Sequence, residues 1–254
     1  MIRVFEFFLW FAIYSFFGWV YESILCSTRE RRWINRGFLN GPYCPIYGAG
    51  ALLDLILLGR VRSSALLVLA GMLVTGILEY FTSWLLEKLF HARWWDYSDW
   101  HCQIHGRVCL LGGVVFGTMS VLLIKVIHPC VMSITNKIPP AVLVGLAIVL
   151  LAGFLVDILF TVIHLNSFNE KLRQAHQKAE QLANELVTRA GNMKNWVEQE
   201  LHALRSRKIA EQSKTMLQKL TWQERKILRS FPHFQSTRYS ELVEKLKEAL
   251  RGSR

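Results

Sequence analysis

Five carboxylates in this 254-residue chain fall inside or at the ends of long apolar stretches, where lipid penalises charge: Glu6, Glu22, Asp54, Glu79 and Asp157. An unpaired charge at the centre of a bilayer costs at least about 2.5–3.5 kcal/mol, so such groups turn toward a bundle interior and pair. Two kinds of chemistry need acids there: a hydrogen-bonded network that ties helices together, or a path for an ion or a charged substrate. Glu79, Ser83 and Glu87 are spaced by four and share one helix face, and Asp157, Thr161 and His164 form a similar stripe. Glu22 lies within reach of the arginines that follow it, whereas Glu6, near a helix end, can snorkel to water.

The segment EKLFHARWWDYSDWHCQIHGRVCL packs Trp94, Trp95, Tyr97 and Trp100 among Asp96, Asp99 and Arg107. Aromatics of this kind belong to a membrane interface. Asp96 and Arg107 could close a polar site with Glu79 and Glu87. The candidate substrate or ion pathway is therefore Glu22, Arg36, Glu79, Glu87, Asp96, Arg107 and Asp157. His101, Cys102, His105 and Cys109 have ligand-like gaps but lack tight Cys-pair or His-pair spacing, and Cys109 is expected inside a span, so no metal is assigned. No catalytic residue and no cofactor is indicated.

The elements that carry these groups follow from hydropathy. A helix needs roughly 20 apolar residues to cross about 30 Å of hydrocarbon. Val4 to Ile24, Ala65 to Leu86, Val108 to Ile127 and Ala141 to Leu165 meet that length. Residues 43–58 are short, glycine-rich and bounded by Pro42 and Gly59; they read as a fifth span, with a re-entrant half-helix as the alternative. The fold class is all-α: a polytopic bundle of about five transmembrane helices with a helical cytoplasmic tail.

Lys and Arg counts in successive connections alternate four, two, three, two, and eighteen more against ten acids follow Leu165. An outside N-terminus, five spans and an inside C-terminus fit the rule that positive loops stay in the cytoplasm. A cleaved leader is the competing reading of the N-terminus, but Arg3 is its lone early charge and the apolar run is too long. The net charge of +11 suits anionic lipid headgroups beside a membrane better than nucleic acid. The five cysteines, odd in number, read as small apolar residues.

Gly113 and Gly117 form a GxxxG face for close helix crossing, and Gly71, Gly76, Gly145 and Gly153 are expected to serve the same end. The chain divides into a bundle over 1–165 and a tail over 166–254. In the tail, Phe168, Leu172, Ala175, Ala179, Leu182, Leu186 and Met193 recur at gaps of four and three, the spacing of a coiled coil, so one long helix is expected over 166–206, packing on a partner or on itself. Shorter helices are expected over 221–231, opened by a Thr221–Glu224 capping box, and over 240–251, with Leu242, Val243, Leu246 and Leu250 on one face.

The strings RGFLNGPYCPIYGAGALL, EYFTSWLLEKLFHARWWDYSD and HGRVCL, in that order, resemble the bacterial family called putative ABC-transporter type IV, or CmpB-like, over roughly residues 8 to 125. The chain departs from that pattern at His105, where Asn often precedes Gly-Arg, and at Gly112-Gly113, where Ser-rich residues often follow Cys-Leu. The resemblance implies a transport permease in the cell membrane. The chain has no GxxxxGK[ST] loop, so an ABC reading implies a separate ATPase subunit, and five spans imply a homo-oligomer to enclose a pathway. Two other readings stand beside it: a membrane-embedded lipid-modifying enzyme, since clustered acids and arginine suit phosphate headgroups, and a membrane scaffold or regulatory protein acting through its tail.

Overall fold

A computed structural model describes residues 2–190 and 197–252, with side chains described over 2–185 and 202–251. Four helices, Ile2–Glu30, Ser64–Phe90, Leu110–Thr135 and Pro140–Glu185, are long and apolar enough to cross a membrane, and the shorter apolar helix Pro45–Leu58 accompanies them. The chain forms two compact units, Met1–Leu85 with Trp95–Thr161, and Leu86–Trp94 with Val162–Arg254.

In the first unit, α1 (Ile2–Glu30) packs against α2 (Pro45–Leu58). Pro45 occupies the first turn of α2, where its missing N–H costs nothing. The two helices cross closely because of two glycines. A Cβ on Gly18 would overlap the Tyr47 ring, and one on Gly48 would overlap the Ser15 hydroxyl and the Phe11 carbonyl. Further along, Ala51, Leu52 and Leu55 join a core of Trp10, Tyr14, Leu123 and Val131. Trp10 donates to Thr135 Oγ1 at 3.2 Å, and Tyr14 Oη and His128 Nδ1 lie 2.7 Å apart.

Between α1 and α2 the chain runs back along α1 without regular structure. Ile34 N donates to Ser27 Oγ at 2.9 Å, Arg36 N to Ser23 Oγ at 3.3 Å, and Cys44 N to Ser15 O at 2.8 Å. The short helix therefore begins level with the middle of α1, and the segment expected to span at 43–58 holds the 14-residue helix Pro45–Leu58, preceded by irregular backbone. At its far end Lys125 Nζ donates to Arg62 O at 3.0 Å and to Ser64 Oγ at 2.6 Å.

The expected span beginning at Val108 is re-drawn. Gln103–Ile104 (β2) pairs antiparallel with Val108–Cys109 (β3). Cys109 is not inside the helix but caps it, its Sγ accepting from Gly112 N at 3.3 Å. From there α4 (Leu110–Leu122), a π-helical turn (Leu123–Ile127) and α5 (His128–Thr135) run on as one rod. Gly117 allows the crossing with α3 (Ser64–Phe90): a Cβ there would overlap Val68 O and Met72. Gly76, Gly145 and Gly153, expected to serve packing, face open space.

In the second unit, Ala92–Arg93 (β1) pairs with Gln235–Ser236 (β4), and Trp94, expected at an interface belt, is buried edge-on to Phe231 and Phe234. α6 (Pro140–Ala190) presents Phe168, Leu172, Ala179 and Ala183, all buried. The single helix expected over 166–206 is instead α6 and α7 (Val197–Lys219). Arg205 and Glu180 approach to 3.5 Å, whereas one straight helix would hold residues 25 apart at about 37 Å. Leu186 and Met193 of the heptad pattern lie outside the described side chains, as do residues 191–196 of that helix outside the described structure. α8 (Trp222–Ser230) has the reciprocal capping box of Thr221 and Glu224, and Glu224 also receives Lys171 Nζ at 2.8 and 2.9 Å. α9 (Ser240–Gly252) packs on α7 with Leu242, Val243, Leu246 and Leu250 buried.

Candidate functional site

Three polar groupings of the first unit hold most of the candidate residues. The first is built where the backbone returns along α1. Glu22 Oε1 accepts from Tyr47 Oη at 2.6 Å, and Glu22 Oε2 lies 3.7 Å from Arg36 Nε and 3.8 Å from Cys26 Sγ. Arg36 is positioned by its own backbone, whose N–H is on Ser23 and whose carbonyl accepts from Cys44 Sγ at 3.4 Å. A half-buried acid, a cation and a phenol thus meet at the start of a helix.

The second grouping is Glu79, only 7% exposed, whose Oε1 accepts from Tyr97 Oη at 3.1 Å. Tyr97 is reached by the loop that precedes β2, its N–H bonded to Gly106 O at 2.8 Å. Burial raises the Tyr97 phenol well above its ordinary value, and the charges of Glu79 and, further off, Glu22 add to it. That phenol stays a donor at any physiological pH.

The third is Arg107, whose guanidinium lies 5.2 Å over the Tyr80 ring and donates to Tyr80 Oη at 3.4 Å, while Tyr80 Oη and His105 Nδ1 are 3.1 Å apart. Trp95 Nε1 donates to Arg107 O at 3.0 Å. His105 (φ 53°) and Gly106 (φ 69°) are the two central residues of a tight turn closed by Arg107 N on Ile104 O at 3.0 Å. Two successive residues at positive φ favour Asn-Gly, so the Asn of the resembled pattern is what this turn prefers, and His105 is a tolerated substitute.

The remaining candidates stand apart from these groupings. Asp157 is surrounded by donors: Asn40 N at 3.1 Å and Asn40 Nδ2 at 2.9 Å on Oδ1, Gly41 N at 2.8 Å and Tyr43 Oη at 2.5 Å on Oδ2, with Thr161 Oγ1 at 3.3 Å. Asp96 accepts from Ser98 N at 2.9 Å and Ser98 Oγ at 2.5 Å in a local turn. Glu87 belongs to the second unit and holds Arg93 Nε at 3.2 Å.

Sequence reasoning left Tyr47, Tyr80, Tyr97 and Asn40 out of the site. Their signal was present in part: three phenols lie within or beside apolar runs, where a hydroxyl needs a partner. Among the described residues no group of three or more His, Cys, Asp and Glu could hold a metal ion. Of the suspected metal set, His105 engages Tyr80, Cys109 caps α4, and His101 and Cys102 are exposed.

Compared with known proteins, residues 9–162 match the family model described as Putative ABC-transporter type IV. No curated protein and no solved structure matches the chain.

Proposed function

We propose a reading that starts from family membership: the chain belongs to the Putative ABC-transporter type IV family, and it acts as the permease-like membrane subunit of a transporter for a charged solute. It is a multi-pass membrane protein. In the proposal α2 and the extended backbone before it complete a fifth crossing, the C-terminal unit is cytoplasmic by the distribution of Lys and Arg, and a separate subunit hydrolyses ATP. Two copies would enclose the path.

One observation carries this reading: Glu79, almost fully buried in an apolar helix, has one bonded partner among the described residues, the phenol of Tyr97. A purely structural acid in lipid is better served by a cation or by several donors, as Asp157 is. A carboxylate left with spare acceptor capacity can hydrate or hand on a charged solute. Glu22, Arg36, Glu79 and Arg107 are the proposed lining.

The test is purification of the full chain in mild detergent, with identification of co-purifying subunits and measurement of ATP hydrolysis in liposomes. An ATP-hydrolysing subunit is expected to co-purify, and Glu79→Gln is expected to lower hydrolysis several-fold at unchanged thermal stability. A preparation that never contains such a subunit, or a Glu79→Gln complex with full turnover, overturns the reading.

A further inference from the structure

Beyond the Gly117 crossing, α3 and α4 leave between them a trough of about 430 Å³, a volume typical of ligand sites. Ala65 and Val68 form one wall and Thr118, Val121 and Leu122 the other. Those walls are apolar. The hydroxyl of Thr118 donates to Val114 O at 2.8 Å, on its own helix, and so asks nothing of the trough.

The mouth is different. Lys125, on the π-helical turn, directs Nζ across to the start of α3, onto Arg62 O at 3.0 Å and Ser64 Oγ at 2.6 Å. An ammonium has three donors, so one is left for a ligand. Arg60 and Arg62 are exposed in the connection beside it, and the positive end of the α3 dipole adds to the same field. No Asp or Glu occurs from residue 55 to 78 or from 100 to 156. Among the described residues no ion pair engages Arg60, Arg62 or Lys125.

A lysine at a bilayer edge ordinarily extends toward water. Lys125 instead folds back and is fixed over one end of an apolar trough, so its charge and that surface address one ligand together. A soluble anion would leave the walls unused, and a neutral lipid would leave the cations unused. From Thr118 to Lys125 the helix rises roughly 10 Å, about two-thirds of the hydrocarbon depth of one leaflet.

We propose that this trough is a specific site for an anionic phospholipid, with its phosphate on Lys125 and Arg62 and one acyl chain laid along Val68, Thr118 and Val121. The site shares no residue with Glu22, Arg36, Glu79 and Arg107, and it stands whether or not the chain carries a solute.

Native mass spectrometry of the full chain in detergent, titrated with phosphatidylglycerol or with phosphatidylcholine of the same acyl chains, tests it. One phosphatidylglycerol should be retained at a several-fold lower concentration than phosphatidylcholine, a comparison that needs no variant. Arg62→Gln keeps the carbonyl that holds Lys125 and removes only a charge; it should weaken retention several-fold, as should Lys125→Gln. Ala65→Phe leaves both cations and fills the trough, and should weaken retention as well. Equal retention of the two lipids overturns the proposal, as does full retention by both charge variants or by Ala65→Phe. Displacement of the lipid by glycerol phosphate at equal concentration also overturns it, in favour of a soluble phosphate, and a lipid-free dimer overturns it in favour of a second copy of the chain.

Discussion

Replacing Asp157 by Asn changes one atom and tests whether this carboxylate anchors the Asn40–Gly41 turn. The carboxylate presents only acceptors, and five donors converge on it: Asn40 N, Asn40 Nδ2 and Thr161 Oγ1 on one oxygen, Gly41 N and Tyr43 Oη on the other. An amide must turn its NH2 toward one set. Facing Gly41 and Tyr43, it strands the Gly41 N–H, although the Tyr43 hydroxyl can rotate to accept. Facing Asn40, it opposes both Asn40 donors. One charge-assisted bond is lost and the others become neutral. Bonds to a charged group are worth about 1.5–3 kcal/mol and neutral ones about 0.5–1.5, so the expected cost is roughly 2–4 kcal/mol. At about 2–4 °C per kcal/mol, the midpoint of thermal unfolding in detergent should fall by about 4–16 °C. Protease cleavage within residues 36–44 should rise in parallel. Tyr43→Phe should cost less in the Asp157→Asn background than in the wild type, since the two changes remove the same contact. An Asp157→Asn protein with wild-type stability and an unchanged cleavage pattern would refute the anchor.

Four shorter predictions concern other elements. Lys247 Nζ donates to Pro232 O at 2.7 Å and Phe234 O at 2.5 Å, and burial, followed by repulsion from Arg251, lowers its ammonium to about 8 from 10.5. Between those values the unfolded chain binds more protons than the folded one, so the stability of the C-terminal unit should rise with pH across that window; in Lys247→Met, followed by denaturant unfolding, that part of the rise should vanish. Gly117→Ala should destabilise the bundle by about 1–3 kcal/mol, because its methyl overlaps Val68 O and Met72. Gly145→Ala, with open space around it, should be neutral or slightly stabilising in the same assay. Ser23→Ala leaves the Arg36 N–H without its acceptor, and amide hydrogen exchange at Arg36 should accelerate while exchange in α4 stays unchanged.

Apolar run length was enough to mark the four long helices, because the bilayer thickness fixes it. The capping box at Thr221 and the buried face of α9 were legible for the same kind of reason: each is a local pattern whose partners lie within a turn or two. What the sequence withheld depends on distant partners. Asp157 is held by a turn 117 residues away, and no spacing on its own helix points there. The heptad face of α6 announced a packing surface without saying what covers it; Phe168 on that face meets Phe234, and His176 beside it meets Tyr239, both from the protein's own tail. Trp94 carried the composition of a membrane belt and is nevertheless interior, since two phenylalanines from 231 and 234 enclose it.

The segment between α1 and α2 joins these points. Backbone that leaves a helix at membrane depth must find hydrogen-bond partners in protein, because lipid offers none. Here α1 supplies them: the hydroxyls of Ser23 and Ser27, four residues apart on one face, and the Ser15 carbonyl accept the N–H groups of Arg36, Ile34 and Cys44. The cost of breaking the helix is thereby met locally. Arg36 reaches Glu22 and Tyr47 enters beside it only because residues 31–44 are irregular rather than helical. A regular second helix would carry Tyr47 and Arg36 on fixed helical spacing and could not wrap both around one carboxylate. The same break starts α2 late, so that Asp54, nine residues into it, is buried in the bundle. A short, glycine-rich, proline-led segment read as a fifth span; its shortness is what lets one acid, Glu22, meet both a cation and a phenol.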